Sequence, residues 1–111
     1  MTATAQRVTS LTQEERAALN ALARRGLNNA ARCVERLLMD GETVLTVTIA
    51  GPGCRVDILP PVPTSPLWSA ALTWRATADA IGYAAPRFGT EIRWTITKDE
   101  AARRGINWRL H

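Results

Sequence analysis

Residues 43 to 58 constrain this chain more than any other stretch. Leu45, Val47 and Ile49 alternate with Val44, Thr46 and Thr48, and after Ala50, Gly51, Pro52 and Gly53 the alternation resumes, with Cys54, Val56 and Ile58 set against Arg55 and Asp57. A period of two is the signature of a strand, and a four-residue loop rich in glycine and proline joins two of them into a hairpin. That loop predicts pairs Ile49 with Cys54, Val47 with Val56 and Leu45 with Ile58, placing all six apolar side chains on one face. A slip of one residue mixes apolar with charged positions, so the register is specified. A hairpin with one apolar face needs a layer to cover it.

The preceding segment can supply that layer. Thr12 and Glu15 have capping-box spacing, which predicts a helix from about residue 13. Leu19, Leu22, Ala23, Leu27, Ala30, Val34, Leu37 and Leu38 then recur at spacings of three and four along one side. Gly26, Asn28 and Asn29 interrupt the pattern and leave two readings: a helix pair at about 13 to 25 and 29 to 40, or one unbroken helix. Gly41 stops it.

Beyond the hairpin, Pro60, Pro61, Pro63 and Pro66 exclude a central strand and mark an extended connector. Ser65 as cap and Pro66 at the first position predict a helix, with Leu67, Ala71, Trp74, Ala78 and Ile81 as its stripe and Gly82 as its end. Residues 83 to 89 read as a loop. Ile92, Trp94 and Ile96 alternate with Glu91, Arg93 and Thr95 as a third strand. Thr97 and Glu100 cap a short helical turn ending at Gly105, and Ile106, Trp108 and Leu110 form a fourth strand. The expected fold is α+β, a two-layer sandwich in which two or three helices cover one face of a four-stranded antiparallel sheet. Residues 11–111 form its single domain, and residues 1–10 are expected to be a disordered tail.

The sequence has 111 residues, a size that one hydrophobic core can serve. Its net charge of +4 includes thirteen arginines and one lysine, Lys98. The charge is spread along the chain, and the arginine bias suits the codon usage of a GC-rich bacterial or phage genome. MTATAQRVTS is neither a secretory signal nor a membrane span, so a cytoplasmic protein is expected. Cys33 and Cys54 fall on apolar faces and read as free thiols.

The chemistry available is narrow. The one histidine is His111, the last residue, and two separated cysteines do not make a zinc site. No phosphate-cradling glycine motif and no nucleophile elbow occurs. Asp57 and Glu91 share the polar sheet face with Arg55 and Arg93 and read as cross-strand ion pairs. No enzyme activity, metal or cofactor is therefore expected.

Arg24, Arg25 and Gly26 between two helices invite a helix-turn-helix reading. Leu22 and Arg32 stand where that motif wants an alanine and a buried aliphatic, and the hairpin tip is uncharged. The leading expectation is an accessory binding protein acting on another protein, as a regulator, adaptor or inhibitor, through a sheet face, a sheet edge or the Trp68 region. Trp68 lies off its helix stripe, either packed against the proline connector or exposed as a candidate interface anchor, and edge pairing of strands predicts a homodimer. The alternative is nucleic-acid binding by arginine–phosphate contacts from Arg55, Arg93 and Arg109 on the sheet face, with Arg103 and Arg104 beside them. No membrane partner is expected.

Overall fold

The computed structural model describes residues 11–106. The expected tail at 1–10 and most of the expected fourth strand, with Trp108 and Arg109, lie outside the described residues. The chain is an α+β protein in which one long helix leads into a five-stranded mixed sheet, followed by a short helix. This corrects the expected four antiparallel strands.

Helix α1 spans Gln13–Met39 without a break. Its start is the predicted capping box: the Glu15 amide donates to Thr12 Oγ1 at 3.0 Å, and the Glu15 carboxylate accepts from the Thr12 amide. Gly26 does not end the helix, because its role is to admit another backbone. A Cβ built there would collide with the Gly51 carbonyl oxygen and stand 2.9 Å from Ile49 Cγ2. Strands β1 (Val44–Ala50) and β2 (Gly53–Ile58) form the predicted hairpin, and its turn presses into this notch.

Two of the three predicted pairs hold, Ile49 with Cys54 and Val47 with Val56. Ile58 instead meets Val44, because the register shifts between Val44 and Thr46. Leu45 is the extra residue of this bulge and is left exposed.

Between the proline connector and residue 90 the expectation fails. Ser65 Oγ does accept from the Leu67 amide, but only a 3-10 helix, Pro66–Ala70, follows. The chain then forms strands β3 (Leu72–Ala76) and β4 (Ala80–Arg87), where a helix to residue 81 and a loop at 83 to 89 were expected. Thr77 makes the turn, accepting from the Ala80 amide through its hydroxyl and donating its own amide to the Ala80 carbonyl. Alanine fits either conformation, so the burial of Ile81, Tyr83 and Ala85 along one face decides for a strand. Pro86 is tolerated because β3 stops pairing at Leu72 with Ala84, leaving no neighbour on that side.

Strand β5 (Thr90–Thr97) and helix α2 (Lys98–Arg103, capped by Thr97) appear as predicted. The sheet order is β1-β2-β5-β4-β3. β5 runs antiparallel to β4 but parallel to β2, with Arg55, Val56 and Asp57 opposite Glu91, Ile92 and Arg93.

The core lies on one side of this sheet. Val56, Ile58, Ile81, Tyr83, Ile92, Trp94 and Ile96 are buried there under Cys33 and Leu37 of α1, Leu67 and Trp68 of the 3-10 helix, and Ala101 of α2. Trp68 is 6% exposed. Its ring stands edge-on to Tyr83 and Trp94, with centroids 5.0 and 5.2 Å away. Its indole N–H donates to the Val62 carbonyl at 3.1 Å, with the Pro61 carbonyl at 3.3 Å. Of the two readings of Trp68, packing against the proline connector is the one the structure shows, and exposure as an anchor is not. Such a buried indole needs an acceptor, and the proline connector supplies it.

Candidate functional site: the open face of the sheet

The opposite face of the sheet carries no helix among the described residues. Alternation along each strand sends Thr46 and Thr48, Arg55 and Asp57, Glu91, Arg93 and Thr95, and Gly82 and Ala84 to this side. Strand β3 bulges here: Thr73 pairs with Tyr83 and Arg75 with Gly82, leaving Trp74 as the extra residue. The Trp74 indole lies over Gly82, where a Cβ would come within 2.7 Å of the indole nitrogen. Arg93 covers the Trp74 ring, its guanidinium carbon 4.5 Å from the ring centre. Trp74 is 41% exposed and Leu72, on the same strand, is 70% exposed.

The charges at the seam between β2 and β5 are paired along strands rather than across them. Arg55 Nε lies 3.4 Å from Asp57 Oδ2, and Arg93 Nη2 lies 3.0 Å from Glu91 Oε2. Asp57 also accepts from the Thr46 hydroxyl at 3.0 Å. The parallel register puts Arg55 opposite Glu91 and Asp57 opposite Arg93, so four charges of alternating sign tile the seam between β2 and β5.

The other residues singled out by sequence are not gathered onto this face. Arg103 and Arg104 both bind Glu100 of α2, and these hydrogen bonds hold the Glu100 carboxyl below its ordinary range. Arg104 also reaches the Pro60 and Pro61 carbonyls at 3.5 and 3.4 Å, tying α2 to the connector. Arg109 lies outside the described residues, and Trp68 is in the core.

Trp74 and Leu72 are the residues that sequence reasoning missed. A helical stripe placed Trp74 inside and Trp68 outside, whereas β3 brings Trp74 to the open face and the 3-10 helix turns Trp68 into the core. The available signal was the alternation of Ile81, Tyr83 and Ala85 following a Thr-Ala-Asp turn.

Cys33 is fully buried, which pushes its thiol up, whereas half-buried Cys54 has its sulfur 3.0 Å from the Thr90 hydroxyl. Among the described residues, no group of three or more His, Cys, Asp or Glu is placed to hold a metal ion, and no helix is long and apolar enough to cross a membrane.

Fold and site together define a small α+β domain with a mixed sheet, covered by helices on one face and bearing an aromatic–arginine stack on the other. No protein-family model, curated protein or solved structure matches the chain.

Proposed function

We propose that this is a non-enzymatic accessory protein that recognises another protein through the open sheet face and its β3 edge. The observation that carries this reading is Trp74, held on Gly82 and stacked by Arg93 beside exposed Leu72. Tryptophan and arginine dominate the energetics of protein interfaces, and an aromatic ring already fixed in place loses little freedom on binding. Strand β3 is the last strand of the sheet among the described residues, a position at which an extended segment of a partner can join a sheet.

Arginine on an aromatic ring also suits single-stranded nucleic acid, where bases stack on such platforms. Against that reading, Arg55 and Arg93 are each neutralised by a carboxylate of their own strand. The test compares the tagged wild-type chain with Trp74→Ala and Leu72→Asp in nuclease-treated host lysate, alongside a salt titration against single-stranded DNA and RNA. A stoichiometric protein partner lost from both variants supports the proposal. Probe binding that weakens steeply with salt, together with no partner surviving nuclease, overturns it in favour of nucleic acid.

A further inference from the structure

We infer that the first half of α1 is a self-association surface, on which a second copy of this chain lays its own α1 antiparallel. The inference stands apart from the proposed role of the open sheet face. It starts from burial along the helix. From Gln13 to Arg25 every residue is exposed except half-buried Leu22, and the first buried residue is Gly26. Gly26 is also where the hairpin turn at Gly51 to Gly53 packs, so the sheet ends beneath it. The preceding thirteen residues therefore project past the sheet by roughly 20 Å at 1.5 Å per residue. The molecule is correspondingly drawn out, 55 Å in its longest dimension with a radius of gyration of 17.9 Å, where about 13 Å is usual for a compact domain of some hundred residues.

The projecting half is not a polar extension. Leu19, Leu22 and Ala23 continue, at the same spacing, the stripe that buries Gly26, Ala30, Cys33 and Leu37 against the sheet. Leu19 is 52% exposed. A helical arm of this length is marginal in water without a packing partner, yet this one is fully capped at Thr12.

Charge selects the occupant. Glu14 and Glu15 outweigh Arg16 at the free end, and Arg24 and Arg25 stand at the end nearest the sheet. A second α1 laid antiparallel, with Leu19 of each copy against Leu22 of the other, brings the acidic end of each beside the basic end of the other. A parallel arrangement opposes like charges at both ends. Ala18 and Ala23, which flank the stripe, allow close approach, and the antiparallel arrangement closes on a two-fold axis, as self-association to a dimer requires. The homodimer foreseen through sheet edges is thus assigned instead to the helix.

Sedimentation velocity of the full chain, from micromolar to near-millimolar concentration, tests this. The wild type is expected to pass from monomer to dimer, and Leu19→Glu/Leu22→Glu to remain monomeric with an unchanged far-ultraviolet spectrum. Arg25→Glu should weaken the dimer by about fivefold, because the two-fold axis counts the lost pair twice. Adding Glu14→Arg to it should restore most of that loss, which a merely destabilised helix would not do. A wild type that stays monomeric throughout overturns the inference. A dimer indifferent to both the leucine and the charge substitutions overturns it equally.

Discussion

The Arg93 guanidinium lies 4.5 Å from the centre of the Trp74 ring while the same side chain holds Glu91 at 3.0 Å. The two contacts fix a large aromatic side chain on an otherwise polar face. Gly82 makes this arrangement possible, since any side chain there would lift the indole from the sheet. Trp74 is therefore positioned by three strands, β3 through its bulge, β4 through its glycine and β5 through its arginine.

The contrast between two tryptophans gives the first prediction. Trp68→Ala removes an edge-on contact to two core rings and should cost about 3–5 kcal/mol, in the range of large core truncations. Trp74→Ala should cost under about 1 kcal/mol, as a half-exposed residue on an edge strand. Urea unfolding of both variants checks this. Equal losses would remove the distinction between core and surface on which the site rests.

Gly26→Ala runs against helix propensity. Alanine is the better helix former by about 1 kcal/mol, yet its methyl group would meet the Gly51 carbonyl, a backbone atom that cannot swing aside. A net destabilisation of about 1–3 kcal/mol is expected. A more stable variant in thermal or urea unfolding would show that the hairpin turn does not sit in the helix notch.

Glu42 supplies a pH dependence. Burial raises its carboxyl above the ordinary value of 4.5, and the Ser65 hydroxyl, 3.5 Å away, only partly opposes this. The folded state therefore holds the Glu42 proton to higher pH than the unfolded chain does. Stability consequently falls as pH rises from about 4.5 through the raised value, and the cost is fully present at neutral pH. Glu42→Gln should be more stable than wild type at pH 7, with the difference shrinking below about pH 4.5. Urea midpoints across pH 4 to 8 test it. A variant less stable at neutral pH would mean that the Ser65 contact outweighs burial.

Thiol chemistry should separate the cysteines. Cys33 is shielded and its thiol is raised by burial, whereas Cys54 is partly accessible. In the native protein, a Cys33→Ser variant should react with an aromatic disulfide reagent much faster than a Cys54→Ser variant. The remaining thiol of Cys54→Ser should react only as fast as the helix opens. Comparable rates would place Cys33 within reach of solvent.

How far the fold was legible depends on whether a signal is local. The Thr12, Ser65 and Thr97 caps are written within three residues, and each hydroxyl accepts the amide its spacing points to, although Ser65 starts only a 3-10 helix and the Glu100 carboxylate turns to Arg103 and Arg104. The β1–β2 hairpin and β5 are legible because alternation of apolar residues with threonine or charged residues at a period of two suits no helix. Residues 66 to 87 are ambiguous because alanine recurs at helical and strand spacings alike. What settles them is Tyr83 and Ile81 packing under Trp68, a contact between distant segments. The parallel meeting of β2 with β5 leaves no mark in either strand, since both read as ordinary half-buried strands. The candidate site was half legible: Arg93 was placed on the open face by alternation, while Trp74 was hidden by a stripe that the chain does not use.

The seam between β2 and β5, paired over Arg55–Glu91 to Asp57–Arg93, has a kinetic consequence. Each flanking hairpin can close from neighbouring residues within microseconds. Joining them must wait until the connector, the 3-10 helix and the β3–β4 hairpin have drawn a long loop shut, and that search carries the entropy cost of the fold. The barrier to reaching the native state therefore lies in bringing two ready-made halves together.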